Sequence, residues 1–239
     1  MGAGPSVLLL AGLEGSPAIW GPLRAALVAA RVAKGAPPLP IHAARPTAGP
    51  SLLRQAEAID RPSGPLLVVG ASYGGLLGWA LSANPHNNVV GVILIETLPC
   101  VDAYPRWRRW EAGLAARAPS VLARALWRRR LERSLQADGA PSALRAEIHA
   151  EALPQPALME RIAAIHRWGL PERPACPALW VLGAGRRGAW PAAALRRAQP
   201  QAALRWLPGR ARPQLASPEA LAALVLEGLS PRPGGLSPW

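Results

Sequence analysis

The amino-acid sequence predicts an α/β fold, with a mostly parallel central sheet flanked by helices. Five short apolar runs lack the polar alternation of a half-exposed strand, which is typical of parallel strands buried on both faces. The runs are residues 6–11, 65–70, 89–95, 178–183 and 203–207. Between the second and third runs, residues 74–84 carry small and apolar side chains suited to a buried helix. A strand, a helix and a strand in this order favour parallel pairing of the two strands.

The length and composition are those of one globular domain, or of one with an inserted lid. Among the 239 residues, 50% are hydrophobic and 17% are charged, which excludes a disordered chain. The 28 prolines and 23 glycines favour many short elements and exclude a coiled coil. We expect a core formed by residues 1–99 and 175–229, a lid at residues 100–174, and a mobile Pro/Gly-rich tail at residues 230–239.

The net charge of +13 is weak evidence for a nucleic-acid partner. The basic side chains are 26 arginines and the single Lys34, a skew that coding bias explains as well as a binding surface does. We therefore expect no specific nucleic-acid partner. The sequence leaves the oligomeric state open.

One segment of the predicted lid combines arginine with tryptophan. Residues 106–133 contain nine arginines, with Trp107, Trp110 and Trp127 interleaved among them. Such a surface can bind single-stranded nucleic acid or an anionic membrane. The interpretation we favour is that the tryptophans cover an acyl pocket while the arginines are solvated, because the sequence contains no recognised nucleic-acid-binding module.

The sequence offers no metal or cofactor site. Its 2 cysteines form no CxxC pair and have no nearby histidine at a ligand spacing. The first apolar run lacks the preceding basic residues of a secretory signal, and no apolar stretch is long enough to span a bilayer. We expect a cytoplasmic protein without a metal, a cofactor or a transmembrane segment.

The strongest chemical signal is the G-x-S-x-G motif Gly70-Ala71-Ser72-Tyr73-Gly74, which lies between an apolar run and a predicted helix. In a sharp strand-to-helix turn the serine takes a strained backbone conformation, and a Cβ on either flanking glycine would collide with neighbouring elements. We expect Ser72 to be an exposed nucleophile between the elbow glycines Gly70 and Gly74. The backbone N–H of Tyr73 and the helix dipole would face a developing oxyanion.

This motif and its surroundings resemble the α/β-hydrolase superfamily. Residues 8–16 and the Ile19-Trp20 pair resemble the family's loop after its early strand, which implies that the N–H of Leu13 is the second oxyanion donor. Further matches to core strands and to the segment that carries the catalytic histidine are residues 91–99, 177–183, 207–209, 213–215 and 218–221. The resemblance covers all of the chain except the predicted lid and tail, and it implies a serine hydrolase.

Three positions depart from the family's pattern. Ala11 stands where the family has a histidine before the loop glycine, and Gly183 is followed by residues without the expected carboxylate. Ala211-Arg212 stands where the family has the Gly-His pair that supplies the general base. Arginine is effectively always protonated and accepts no proton from serine. Ser72 is therefore expected to lack its usual activator, leaving the catalysis that the oxyanion hole and substrate binding provide.

Other side chains are candidates for the missing roles. Glu96 follows the third apolar run and is a candidate alternative acid; the other interpretation is a strand-end carboxylate that pairs with a nearby arginine. His149 and His166 lie in the predicted lid, and we expect them to be surface or packing residues rather than a base that reaches the pocket. His86 is expected on the rim opposite the site, and His42 lies in a Pro-rich loop that sequence reasoning does not place.

Arg186 and Arg212 suggest a second use of the same pocket. If they occupy the former acid and histidine positions, two guanidinium groups converge near Ser72, and an anion would relieve their repulsion. The ligand would be a carboxylate, a phosphate or a sulfate ester. The interpretation we favour is that both arginines point to solvent from loops of an Arg-rich chain.

Two functions follow from these observations. The first is a serine hydrolase with a degenerate triad that acts through Ser72 on a small ester, thioester or related acyl substrate. The alternative is a non-catalytic pseudoenzyme that binds an anionic small molecule or a protein partner. The chemical reactivity of Ser72 distinguishes them.

Overall fold

The computed structural model describes residues 4–45, 49, 51–97, 106, 120–152, 155–167, 174–185 and 190–230. Within them lie six strands: β1 (Ser6–Leu10), β2 (Ile41–Ala44), β3 (Leu66–Ala71), β4 (Val89–Ile95), β5 (Ala178–Gly183) and β6 (Ala203–Leu207). All neighbouring strands pair in parallel, in the order β2-β1-β3-β4-β5-β6. The predicted α/β fold with a parallel central sheet is confirmed.

The helices lie between these strands or after the last one. They are α1 (Gly21–Ala33), α2 (Leu52–Glu57), α3 (Tyr73–Ser82), α4 (Ser120–Ala137), α5 (Ser142–Glu151), α6 (Gln155–Arg167), α7 (Trp190–Ala198), α8 (Pro213–Ala216) and α9 (Pro218–Gly228). Short 3-10 turns cover Pro17–Trp20 and Pro85–Asn87. None of the helices within the described ranges is long and apolar enough to cross a membrane.

The five predicted strands are all present, with bounds that differ by at most one residue. Sequence reasoning does not predict β2, which lies in the Pro-rich segment that contains His42. The strand has four residues, and it exists because each of them pairs with β1, from Val7 opposite Ile41 to Leu10 opposite Ala44. His42 is thus placed on an edge strand, where its side chain is exposed.

Two apolar layers enclose the sheet, which explains why the strands lack polar alternation. Val7 and Leu9 of β1 belong to the layer that includes α1 and α9, whereas Leu8 and Leu10 belong to the layer that includes α2, α3 and α7. All four side chains are fully buried. A strand covered on both faces needs apolar residues at every position.

The helices α4, α5 and α6 lie between β4 and β5 in sequence, and we call them the inserted helices. Asp138, just after α4, accepts hydrogen bonds from the loop after β6, and Glu151 of α5 accepts one from Ser16 after β1. Arg161 of α6 donates to Gly12, also after β1. Because parallel strands end at the same edge of the sheet, the inserted helices contact the edge at which Ser72 lies.

Docking of α5 is expected to depend on pH through Glu151. The Ser16 hydroxyl, the Ala18 N–H and Arg45 hold the pKa of this carboxylate below its usual range. A carboxylate with a lowered folded-state pKa stabilises the fold above its unfolded-state pKa, and that contribution is lost as the pH falls through the folded-state value.

The prediction is that the thermal unfolding midpoint decreases as the pH is lowered from 6 to 3, and that this decrease is smaller in Glu151→Gln. Glu147→Gln is the matched control, because Glu147 lies one turn earlier on α5 and is exposed. Circular dichroism melts at each pH measure the effect. An equal fall in wild type and Glu151→Gln would contradict it.

Candidate functional site

Ser72 lies in a strained turn between β3 and α3. Its backbone has φ 50° and ψ −111°, a conformation that non-glycine residues rarely adopt. A Cβ on Gly70 would lie 2.4 Å from the Gly74 carbonyl oxygen, and one on Gly74 would lie 2.0 Å from the Leu10 carbonyl oxygen. Both flanking positions therefore need glycine, as the geometry of a nucleophile elbow requires.

Neighbouring elements hold the Ser72 backbone in place. Its N–H donates to the Ile95 carbonyl at 2.7 Å. Its carbonyl accepts from the Gly75 N–H at 3.1 Å and from the Thr97 hydroxyl at 3.2 Å. The Ser72 hydroxyl makes no hydrogen bond with any residue that the structure describes, which leaves its Oγ without a base among them.

The loop after β1 lies beside this turn. A Cβ on Gly12 would lie 3.3 Å from the carbonyl oxygen of Ala71, the residue before Ser72. The buried Glu14 accepts the Gly12 N–H at 3.0 Å through Oε1. Within the described part of the chain, the N–H groups of Leu13 and Tyr73 have no hydrogen-bond partner. Two free donors near the serine are what an oxyanion hole needs.

The Tyr73 side chain points into the core rather than towards a substrate. Its ring is fully buried, and its hydroxyl donates to Gln55 Oε1 at 2.5 Å. The Arg161 guanidinium carbon lies 5.3 Å from the ring centroid. Burial raises the pKa of Tyr73 to about 12, so the phenol is neutral near neutral pH and does not serve as a base.

Tyr73→Phe is expected to destabilise the protein by about 1–3 kcal/mol, because it leaves the buried Gln55 oxygen without a donor. The ring stays in place, so the loss isolates the hydrogen bond. Gln55 is fully buried and has a second bond, from its amide to the Gly49 carbonyl. Chemical denaturation midpoints measure the change, and equal midpoints for the variant and wild type would contradict the prediction.

Glu96 places a carboxylate at the end of β5. The residue directly follows β4 and has φ 49°, and only 8% of its surface is exposed. Its Oε1 accepts the Gly183 N–H at 2.7 Å, and its own N–H donates to the Val181 carbonyl at 2.9 Å. The resemblance places the family's acid just after Gly183, so this carboxylate lies beside that position although it comes from another strand.

Arg212 lies at the position that the resemblance assigns to histidine, and it contacts the end of α4. Its Nη1 donates to the Ser134 hydroxyl and lies 3.7 Å from Asp138 Oδ2. Asp138 Oδ1 accepts the backbone N–H groups of Arg210 at 2.6 Å and Ala211 at 3.2 Å. Only 15% of the Arg212 side chain is exposed, so it does not extend into solvent. Arg186 lies outside the described residues.

The histidines that the structure describes do not contact Ser72. His149 Nε2 lies 2.9 Å from Glu132 Oε2, and this hydrogen bond is the main reason that the pKa of Glu132 lies below its usual range. His86 lies in the turn between α3 and β4, at the amino end of β4, and His42 is exposed on β2. The side chain of His166 lies outside the described part.

Sequence reasoning missed Glu14, Gln55, Asp138 and Arg161. A carboxylate inside an otherwise apolar glycine loop could have drawn attention to Glu14. Arg161 and Asp138 lie 149 and 72 residues from their hydrogen-bond partners Gly12 and Arg210, and Gln55 lies 18 residues from Tyr73. Only the fold reveals these contacts. Among the described residues, no group of three or more His, Cys, Asp or Glu could hold a metal ion.

No family model matches the chain, and no curated protein matches it. Solved structures do resemble it. A thioesterase domain from the curacin biosynthetic pathway is 18% identical, with 95% of this chain and 93% of that chain covered and a TM-score of 0.64. An enol-lactonase from Burkholderia xenovorans LB400 is 19% identical, with 95% and 91% covered and a TM-score of 0.65.

A bottromycin epimerase, solved in complex with bottromycin A2, is 18% identical to the chain. The alignment covers 94% of this chain and 92% of the epimerase, with a TM-score of 0.62. At these identities the likeness concerns the fold, and it spans both the sheet and the inserted helices. Together with the parallel sheet and the strained serine turn after β3, these likenesses identify the fold of the chain as that of the α/β-hydrolases.

Proposed function

We propose that this protein is a serine hydrolase of small esters, thioesters or related acyl compounds, with Ser72 as its nucleophile. The observation that carries the proposal is the strained backbone of Ser72 beside two N–H groups, of Leu13 and Tyr73, without a described partner. Strain of this kind persists only where the surrounding structure enforces it, and it is concentrated at functional sites. A thioesterase domain and an enol-lactonase are among the structural neighbours, and both names denote acyl chemistry of this class.

In the proposed reaction, Ser72 Oγ forms a bond to the acyl carbon and its proton passes to water. The carbonyl oxygen becomes an oxyanion, which the N–H groups of Leu13 and Tyr73 stabilise. The bond to the leaving alcohol or thiol breaks, the leaving group takes a proton from solvent, and water then hydrolyses the acyl-serine. The inserted helices would cover the pocket as a lid.

The rate is expected to be low because no base is assigned. When a triad enzyme loses a member, the remaining acceleration is roughly 10³- to 10⁴-fold over water. Glu96 is the candidate acid, and its Oε1 accepts the Gly183 N–H. We assign no proton transfer to it, since none of the described histidines connects it to Ser72.

A second candidate function is ligand binding without turnover. The observation that favours the absence of turnover is Arg212, which stands at the position that the resemblance assigns to histidine and whose side chain contacts the Asp138 carboxylate. The anion beside Arg212 is thus supplied by this chain itself. An external anionic ligand would have to bind Arg186 or displace Asp138.

The deciding experiment is intact-mass labelling with a fluorophosphonate, followed by a p-nitrophenyl acetate assay. We expect one label per chain and slow turnover in wild type, and neither in Ser72→Ala. Ser82→Ala is the matched control, because Ser82 lies on α3 with its hydroxyl bonded to Trp79 and away from the loop after β1. Absence of labelling in folded wild-type protein would reject the hydrolase and favour ligand binding.

A further inference from the structure

Arg161 contacts Gly12, whose carbonyl shares a peptide unit with the Leu13 N–H, and the ring of Tyr73, the other proposed oxyanion donor. Its Nη1 donates to the Gly12 carbonyl at 3.1 Å, and its guanidinium carbon lies 5.3 Å from the centre of the Tyr73 ring. We propose that Arg161 is a positioning residue that orients the Leu13 N–H, so that docking of α6 assembles the oxyanion hole. This inference rests on the proposed function and names how that site is completed.

The orientation follows from peptide geometry. The Gly12 carbonyl and the Leu13 N–H belong to one planar peptide unit, and in a trans peptide they point in opposite directions. The described part of the chain contains no cis peptide bond. A donor that holds the Gly12 oxygen therefore determines where the Leu13 hydrogen points, which is away from Arg161.

Gly12 is held from both sides. Its oxygen accepts from Arg161 and also from the Gly15 N–H at 3.1 Å, and its own N–H donates to Glu14. Glycine tolerates more backbone conformations than other residues, so an unsupported Gly12 peptide would rotate more readily. The Gly15 bond closes the turn locally, whereas the Arg161 bond comes from a helix 149 residues later in the chain.

The location of Arg161 is unusual for a residue that serves only packing. Only 1% of its surface is exposed, although a buried guanidinium carries a large desolvation penalty. Burial lowers the pKa of Arg161, and the neighbouring Tyr73 and Glu14 partly offset this. This buried guanidinium thus contacts both the loop after β1 and Tyr73 of the elbow.

The test compares Arg161→Gln and Arg161→Lys with Leu158→Ala. Leu158 is buried on α6 one turn before Arg161, so its truncation loosens the same helix and leaves the Gly12 bond intact. Turnover of p-nitrophenyl acetate gives kcat and KM separately. Hydrogen exchange of the Gly12 and Gly15 amides reports the loop whether or not the protein turns over substrate.

We expect Arg161→Gln to lower kcat by about 10- to 100-fold, somewhat less than the loss of an oxyanion donor, with KM changed by no more than about twofold. Arg161→Lys, which keeps a donor, should recover part of kcat. Amide exchange at Gly12 and Gly15 should be faster in Arg161→Gln than in Leu158→Ala.

A rise in KM with kcat unchanged would overturn the proposal, and so would an equal loss of kcat in Leu158→Ala. If the wild-type protein is neither labelled by the fluorophosphonate nor hydrolyses p-nitrophenyl acetate, the proposed hydrolase function is rejected on that result alone. In that case, unchanged exchange in Arg161→Gln would also reject the positioning role, whereas faster exchange would show that Arg161 holds the loop independently of catalysis.

Discussion

Gly74→Ala is expected to prevent the protein from folding, with a loss of more than about 3 kcal/mol of stability. The new Cβ would lie 2.0 Å from the carbonyl oxygen of Leu10 and 2.6 Å from that of Ala11. Both atoms are backbone at the end of β1, so no side-chain rotation relieves the contact. To make room, α3 would have to move away from the sheet and from the Ser72 turn.

Gly21→Ala is the matched control. Gly21 begins α1 with φ −49°, and a Cβ there would have no atom within 4 Å. Alanine at this position should leave stability unchanged or raise it by up to about 1 kcal/mol through helix propensity. Soluble yield, circular dichroism and urea midpoints measure both variants. If Gly74→Ala unfolds within about 1 kcal/mol of wild type, the close packing of the elbow on β1 is wrong.

Asp138→Ala is expected to destabilise the protein by about 3 kcal/mol, because it leaves a largely buried guanidinium and two backbone N–H groups without their acceptor. The Asp138 side chain is fully buried, and it joins α4 to the loop that carries Arg212. The loss should appear as a lower denaturant midpoint. It should also increase proteolytic cleavage in the inserted helices, which lose this anchor.

Asp138→Asn separates the contribution of the backbone hydrogen bonds to Asp138 from that of its ion pair with Arg212. Asparagine keeps an oxygen for the Arg210 and Ala211 N–H groups but removes the charge that faces Arg212. We expect its loss of stability to lie between those of wild type and Asp138→Ala. Equal stability of Asp138→Ala and wild type would show that this contact does not anchor α4.

Much of the fold could be predicted from local patterns. A strand buried on both faces must be apolar at every position, so β1, β3, β4, β5 and β6 are visible as uninterrupted runs. The elbow motif is equally local in sequence, because Gly70, Ser72 and Gly74 lie within five residues, although the contact that requires glycine at position 74 is with the end of β1. The expectation that Arg212 stands where the resemblance assigns a histidine likewise rests on adjacent residues of the sequence.

Strand β2 could not be predicted from a local sequence pattern. Its four residues carry no distinctive periodicity and follow a Pro-rich stretch, and they become a strand only through their pairing with β1. Glu96 shows a similar limit for the site. Its position after a strand was visible in the sequence, but its bond to the Gly183 N–H depends on which strands are neighbours.

The sequence by itself predicted the parallel α/β core, the strained conformation of Ser72 and, through the resemblance, the lack of a base at the expected place, because each inference rests on residues close together in the chain. Only the tertiary structure decided what surrounds them: Arg161 on Gly12, Asp138 beside Arg212, and the Glu96 carboxylate at the end of β5. Such contacts join distant segments and depend on direction and burial, which emerge when the helices pack on the sheet.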